Sequence, residues 1–151
     1  IPVAERGDLL ADYHRRLTAD EEAARLTAAR AWSVWEASTS RLILDENMVH
    51  RSSADAFALA LARIEAHYFV NRGFFPHDGW LLDQIPRFRH IPATIVQGRY
   101  DMVCPTKSAY DLAQAWPEAT LHIVPDAGHA SSEPGIVCAL LDATDAYAAL
   151  Q

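Results

Sequence analysis

The hydrophobic pattern of this chain changes period once. In the first part, apolar residues recur three and four positions apart, the spacing that lines one side of an α-helix. Ala24, Ala28, Ala31, Trp32 and Trp35 form one series, ending near Ala37. Ala56, Phe57, Ala60, Leu61, Ile64 and Tyr68 form a second. Polar signals stand ahead of each. Thr18-Ala19-Asp20-Glu21 has the T-x-x-E form of a capping box, and Ser52 and Ser53 are good N-caps. Residues 71–92 carry Gly and Pro at short intervals, in "NRGFFPHDGW" and "IPRFRHIP", and read as loop and short turns.

From Ile91 the pattern alternates between strand and helix. "ATIVQG", ending at Gly98, and "ATLHIV", ending at Val124, are short β-rich runs suited to buried strands. Thr106 to Trp116 reads as a helix, with Pro105 near its start and Pro117 after its end. Ser132 and Pro134 open a last helix, expected to run to the C-terminus. Strand, helix, strand, helix predicts an α/β fold with parallel strands and a right-handed crossover. Two regions are expected: a helical one over residues 1–88 and an α/β one over residues 89–151.

Composition narrows the function classes. A chain of 151 residues with 50% hydrophobic content can build a real core. The net charge of −7 argues against a nucleic-acid partner, whose phosphates need clustered cations. The longest apolar run, Ala56 to Ala62, is too short to cross a bilayer, so no membrane partner is expected. The first residues do not read as a secretory signal peptide. Cys104 and Cys138 make no disulfide framework and read as thiols in the cytoplasm. Seven histidines include no H-E-x-x-H, the cysteines are not paired at zinc spacing, and no glycine-rich phosphate loop is present. No metal or cofactor is expected.

Reactive groups of parallel α/β sheets collect in loops after the carboxyl ends of strands. Asp101 follows the first strand run by a few residues, and His129, in "PDAGHASSEPG", follows the second. An aspartate after a strand is often only a turn former, and a lone turn histidine is usually a surface residue. The two in this order match the second and third members of a nucleophile–acid–histidine triad. Asp101 then fixes the imidazole tautomer, and His129 shuttles the proton. No G-x-S-x-G is present, and Cys104 shares the acid's own loop, so no residue of the chain fits the nucleophile.

These residues resemble the prolyl aminopeptidases, or proline iminopeptidases. The similarity is carried by "IPVAERGDLLADYHRRL", "AARAWSVWEASTSRL", "ALARIEAHYFVNRGFF", "IPATIVQGRYDMVCP" and "DAGHASSEPGI". The resemblance implies a serine peptidase of the α/β-hydrolase fold. The chain would hold the helical cap and the last strand-helix-strand-helix of the parallel sheet. It further implies an oxyanion loop and a nucleophile serine upstream of Ile1, leaving the chain inactive alone. By position, Asp101 in "GRYD" resembles the triad acid and His129 in "AGH" the base. Glu36 in "WSVWE" and Glu65 in "RIEAHYF" resemble the cap carboxylates that hold a peptide's free N-terminal proline. The family reads "GHSASEPG" where this chain has "GHASSEPG", which places Ala130 where the family has a small hydroxyl residue.

The glutamates also make physical sense. Each lies four residues past an apolar stripe member, Trp32 or Leu61, at the border of its helix's buried face. Most helix glutamates are simply solvated. A protonated N-terminal proline, however, offers two N–H donors, which two carboxylates can accept. One such charge pair at ~4 Å is worth up to about 4 kcal/mol at a dielectric of 20, before desolvation. Trp35, Tyr68, Phe69, Phe74 and Phe75 are candidates to wall a pocket for the pyrrolidine ring, or simply to pack the cap. Two other readings stay open. One is another capped α/β-hydrolase, such as an esterase, epoxide hydrolase or dehalogenase. The other is a non-catalytic module or truncated product, whose short sheet exposes an unpaired edge.

Overall fold

The computed structural model describes residues 1–3 and 6–149. Ala4 and Glu5, inside the first family-like segment, and Leu150 and Gln151, at the end of the expected last helix, lie outside the described residues. The elements in chain order are α1 (Leu9–Leu17), α2 (Glu22–Thr39), α3 (Glu46–Ser52), α4 (Asp55–Val70), a 3-10 turn (Arg72–Phe74), α5 (Trp80–Asp83), α6 (Ile85–Phe88), β1 (Thr94–Gly98), α7 (Thr106–Ala115), β2 (Thr120–Val124) and α8 (Pro134–Ala148). They fall into two compact units. The first holds Ile1–Ser38 and Asp45–Pro76; the second holds Thr39–Leu44 and everything from His77 onward. A six-residue strap is thus taken from the helical sequence into the second unit.

The first unit packs helices on small residues. Its core is Leu17, Ala28, Ala29, Ala58, Ala62 and Ala66, with Tyr13, Trp32 and Leu59 partly buried against it. The buried face of α4 is therefore Ala58, Ala62 and Ala66, a four-residue repeat, not the expected Phe57, Ile64 and Tyr68. Those three are more than half exposed. In α2 the buried set is Ala28, Ala29, Ser33 and Ala37, while Trp35 faces out. Both helices are apolar over most of their circumference, so period alone did not choose the face. In α4 the small alanines let the backbone of α1 approach closely. In α2 the buried Ser33 Oγ donates to the Ser52 carbonyl at 2.8 Å.

Several helix ends differ from expectation. Thr18 does not cap α2; its hydroxyl donates to the carbonyls of His14 and Arg15 and closes α1. Asp8 caps α1 by accepting from the Ala11 N–H. A helix the pattern missed, α3, is started by Asp45, which accepts from the Met48 N–H. Ser52 belongs to α3, and Ser53 ends it by donating to His50, so α4 begins with no side-chain cap. A serine or threonine serves either end of a helix, and local sequence does not say which.

The second unit follows the predicted order. β1 and β2 pair in parallel, from Thr94 with Thr120 to Gly98 with Val124. α7 connects them, and α7 and α8 both contact the two strands. The core is Val124, Ala127, Ile136 and Ala139, with Val96 against it. Arg89 closes the entry to β1 with a two-pronged hydrogen bond to Glu118, at 2.6 Å from Nη2 and 3.0 Å from Nε. No helix among the described residues is long and apolar enough to cross a membrane.

Candidate active site

β1 ends at Gly98 and β2 at Val124, so the loops that follow leave the same edge of the sheet. They meet at Gly98. A Cβ there would lie 1.9 Å from the Gly128 carbonyl oxygen, so only glycine permits the approach. The Arg99 N–H donates to the Val124 carbonyl and the Tyr100 N–H to the Ala127 carbonyl. These bonds carry the strand pairing past the sheet and bring Asp101 to His129.

His129 Nδ1 lies 3.0 Å from Asp101 Oδ2. The same oxygen accepts from Gln97 Nε2 at 3.1 Å. The other carboxylate oxygen accepts from the N–H groups of Val103, at 2.9 Å, and Cys104, at 2.7 Å. Asp101 is thus both turn former and histidine partner. Its side chain is only 6% exposed, whereas that of His129 is 38% exposed. Burial pushes the Asp101 carboxyl upward. The Cys104 N–H, the hydrogen bond and charge of His129, and the Val103 N–H together outweigh that push and leave it below its ordinary value.

A carboxylate so placed accepts a proton-bearing Nδ1, which leaves Nε2 as the lone-pair nitrogen. No described residue hydrogen-bonds to Nε2. The chemical capacity is that of a general base with a fixed tautomer. Ala130 contributes through its backbone, donating its N–H to the Ser40 carbonyl at 2.7 Å. Cys104 holds the acid through its backbone N–H, and its side chain is exposed.

The two glutamates lie in the first unit and are half-buried. Glu36 lines a cavity of about 620 Å³ together with Leu9, Leu10, Tyr13, Trp32, Trp35 and Phe69. Glu65 does not line it, but its Oε2 accepts from Trp32 Nε1 at 2.6 Å, and Trp32 does. The indole is also clamped by Tyr13 edge-on at 5.3 Å and by Phe69 at 6.1 Å. Of the five aromatic candidates, Trp35 and Phe69 line the cavity. Tyr68 and Phe74 instead meet edge-to-face at 5.5 Å, and Phe74 lies tilted against His67 at 5.4 Å. Trp32, a member of the first stripe, is a cavity wall, and so is Tyr13, which neither stripe contains. No group of three or more His, Cys, Asp or Glu among the described residues is gathered to hold a metal.

The α/β-hydrolase fold family matches residues 2–135. A protein of Leptolyngbya boryana described as a probable proline iminopeptidase is 55% identical over 149 residues, 99% of this chain and 46% of that protein. The proline iminopeptidase of Xanthomonas citri is 55% identical over 148 residues, 98% of this chain and 47% of that protein. That of Arabidopsis thaliana is 53% identical over 151 residues, 99% of this chain and 40% of that protein. The chain spans about half the length of the curated relatives it matches.

Proposed function

The chain belongs to the α/β-hydrolase fold family, and from that premise we propose that Asp101 and His129 are the acid and base of a serine aminopeptidase that releases N-terminal proline from peptides. The observation that carries the reading is the 3.0 Å contact between His129 Nδ1 and a buried, fully hydrogen-bonded Asp101. The reaction class is supported by relatives described as proline iminopeptidases. The nucleophile is a serine of the polypeptide outside residues 1–151, so these residues alone are inactive. His129 Nε2 takes that serine's proton as it attacks the prolyl carbonyl and returns it to the leaving amine. Asp101 keeps the tautomer and stabilises the imidazolium. Water then releases proline from the acyl-enzyme.

Specificity belongs to the cap. The substrate is a peptide whose N-terminal proline is free and protonated. Glu36 and Glu65 accept its two N–H groups, and the pyrrolidine ring occupies the aromatic cavity. At about 620 Å³ the cavity has the size and mostly apolar lining of a small-molecule site. The proposed setting is the cytoplasm, where the exposed thiols of Cys104 and Cys138 stay reduced.

The test uses the enzyme expressed from the complete reading frame, assayed on proline p-nitroanilide, its N-acetylated form and a neutral p-nitrophenyl ester. Cleavage confined to the free-amine substrate is expected. Efficient ester cleavage with no prolyl release would move the protein to the esterase-like readings.

A further inference from the structure

We propose that Glu133 is a positioning residue for His129, acting through the backbone of the histidine loop. It takes His129 as the base of the proposed reaction. Glu133 is 6% exposed, a carboxylate taken out of water, and such a burial has to be compensated by hydrogen bonds. It stands at the N-cap of α8, yet its side chain does not cap that helix. Instead it turns back. Oε1 accepts from the Gly128 N–H at 2.7 Å, and Oε2 accepts from the Leu42 N–H at 3.2 Å.

Those two donors belong to the two segments that grip the histidine. The Ser40 carbonyl accepts from the His129 N–H at 2.9 Å and the Ala130 N–H at 2.7 Å. Three successive N–H groups, of residues 128, 129 and 130, are therefore held: one by Glu133 and two by the strap. The second oxygen of Glu133 fastens the strap itself at Leu42. Without the carboxylate, the Gly128 and Leu42 N–H groups both lose their acceptor. The segments are pressed together so closely that a Cβ at Gly128 would meet the Leu42 nitrogen at 2.9 Å and Glu133 Oε1 at 3.2 Å. The hydrogen bonds of Glu133 go to backbone N–H groups and not to the imidazole; it sets where the imidazole's backbone is.

A carboxylate suits this place because it accepts on both oxygens and donates on neither. A glutamine of the same shape keeps one acceptor but turns an NH₂ group toward the other N–H. The residues should therefore rank Glu, then Gln, then Ala.

The experiment compares Glu133→Gln and Glu133→Ala in the enzyme from the complete reading frame. Three quantities are read: the downfield proton resonance of His129 Nδ1–H and its exchange with water, kcat and KM on proline p-nitroanilide, and Tm. Glu133→Ala is expected to lose the resonance and about 10²-fold in kcat, the cost of a small misplacement of a catalytic group, with KM unchanged. Glu133→Gln should keep the resonance with exchange about tenfold faster and an intermediate kcat. Where the alanine variant fails to fold, the glutamine variant decides. A lowered Tm with resonance, exchange and kcat as in the parent protein makes Glu133 merely structural and overturns the proposal. Altered His129 exchange in an enzyme that releases no proline leaves the positioning intact and removes the aminopeptidase reading.

Discussion

The Asp101–His129 corner and the Glu36 cavity are built by opposite means. At the corner, nearly every fixed distance ends on a backbone atom. Val103 and Cys104 N–H groups hold the acid, the Ser40 carbonyl holds the histidine loop, and glycine at 98 and 128 permits the approach. In the cavity, side chains meet side chains. Glu65 holds the indole of Trp32, and the rings of Tyr13 and Phe69 pack against it. A backbone-built site tolerates almost no exchange of neighbours, whereas a side-chain-built one can be re-lined one residue at a time. Under the proposed function, the corner carries the unvarying chemistry and the cavity the adjustable specificity.

The contrast breaks first at the corner. In the complete enzyme, His129→Ala should lower kcat by about 10⁶-fold and Asp101→Asn by about 10⁴-fold, with KM little changed. Steady-state kinetics on proline p-nitroanilide measures both, and a KM effect in place of a kcat effect would assign the pair to binding. At the two glutamates of the first unit the signature reverses. Glu36→Gln and Glu65→Gln should raise KM by about 10²-fold, the loss of a hydrogen bond to a charged group, with folding intact. Parent-like KM values at both sites would remove the carboxylates from amino-terminus recognition.

Stability sharpens the same comparison. Gly98→Ala should cost about 3 kcal/mol or more in urea unfolding, since the Gly128 carbonyl is backbone and has no rotamer to yield. Ala62→Leu, on the packed face of α4, should cost about 1–3 kcal/mol. Phe57→Ala, on its exposed face, should stay within about 0.5 kcal/mol. Equal costs for the two α4 variants would reverse its buried and exposed faces.

The smallest effect is a pH dependence. The carboxyl of Asp101 lies lower in the folded chain than its ordinary 3.8. Its stabilising contribution is therefore complete above pH 3.8, erodes as pH falls below that, and is gone beneath the lowered folded-state value. Tm followed between about pH 2 and 5 should fall more steeply in the parent chain than in Asp101→Asn. Parallel curves would mean the carboxylate is no better held in the folded chain than in the unfolded one.

Much of the second unit is written locally. The β-rich runs that end at Gly98 and Val124, and the prolines that bracket α7, are signals a few residues long, so β1, α7, β2 and the start of α8 stand close to where the pattern puts them. Asp101 and His129 were visible for the same reason: a polar residue just past a strand is a local event. The helical unit was less legible. In α2 and α4 apolar residues surround most of the helix, and only contact with neighbouring helices selects the alanine face.

Sequence alone determined the strand-helix-strand-helix order of the second unit, the parallel sheet and the pairing of an acid loop with a histidine loop, because each rests on periodicity or on chain order. Tertiary structure decided the rest. It alone assigned residues 39–44 to the second unit, and it alone joined Leu42 to Glu133 across 91 positions. Before folding, Glu133 is one more charged residue ahead of a proline. It becomes the support of a histidine only when the nearby Gly128 N–H and the distant Leu42 N–H both turn to it as acceptor.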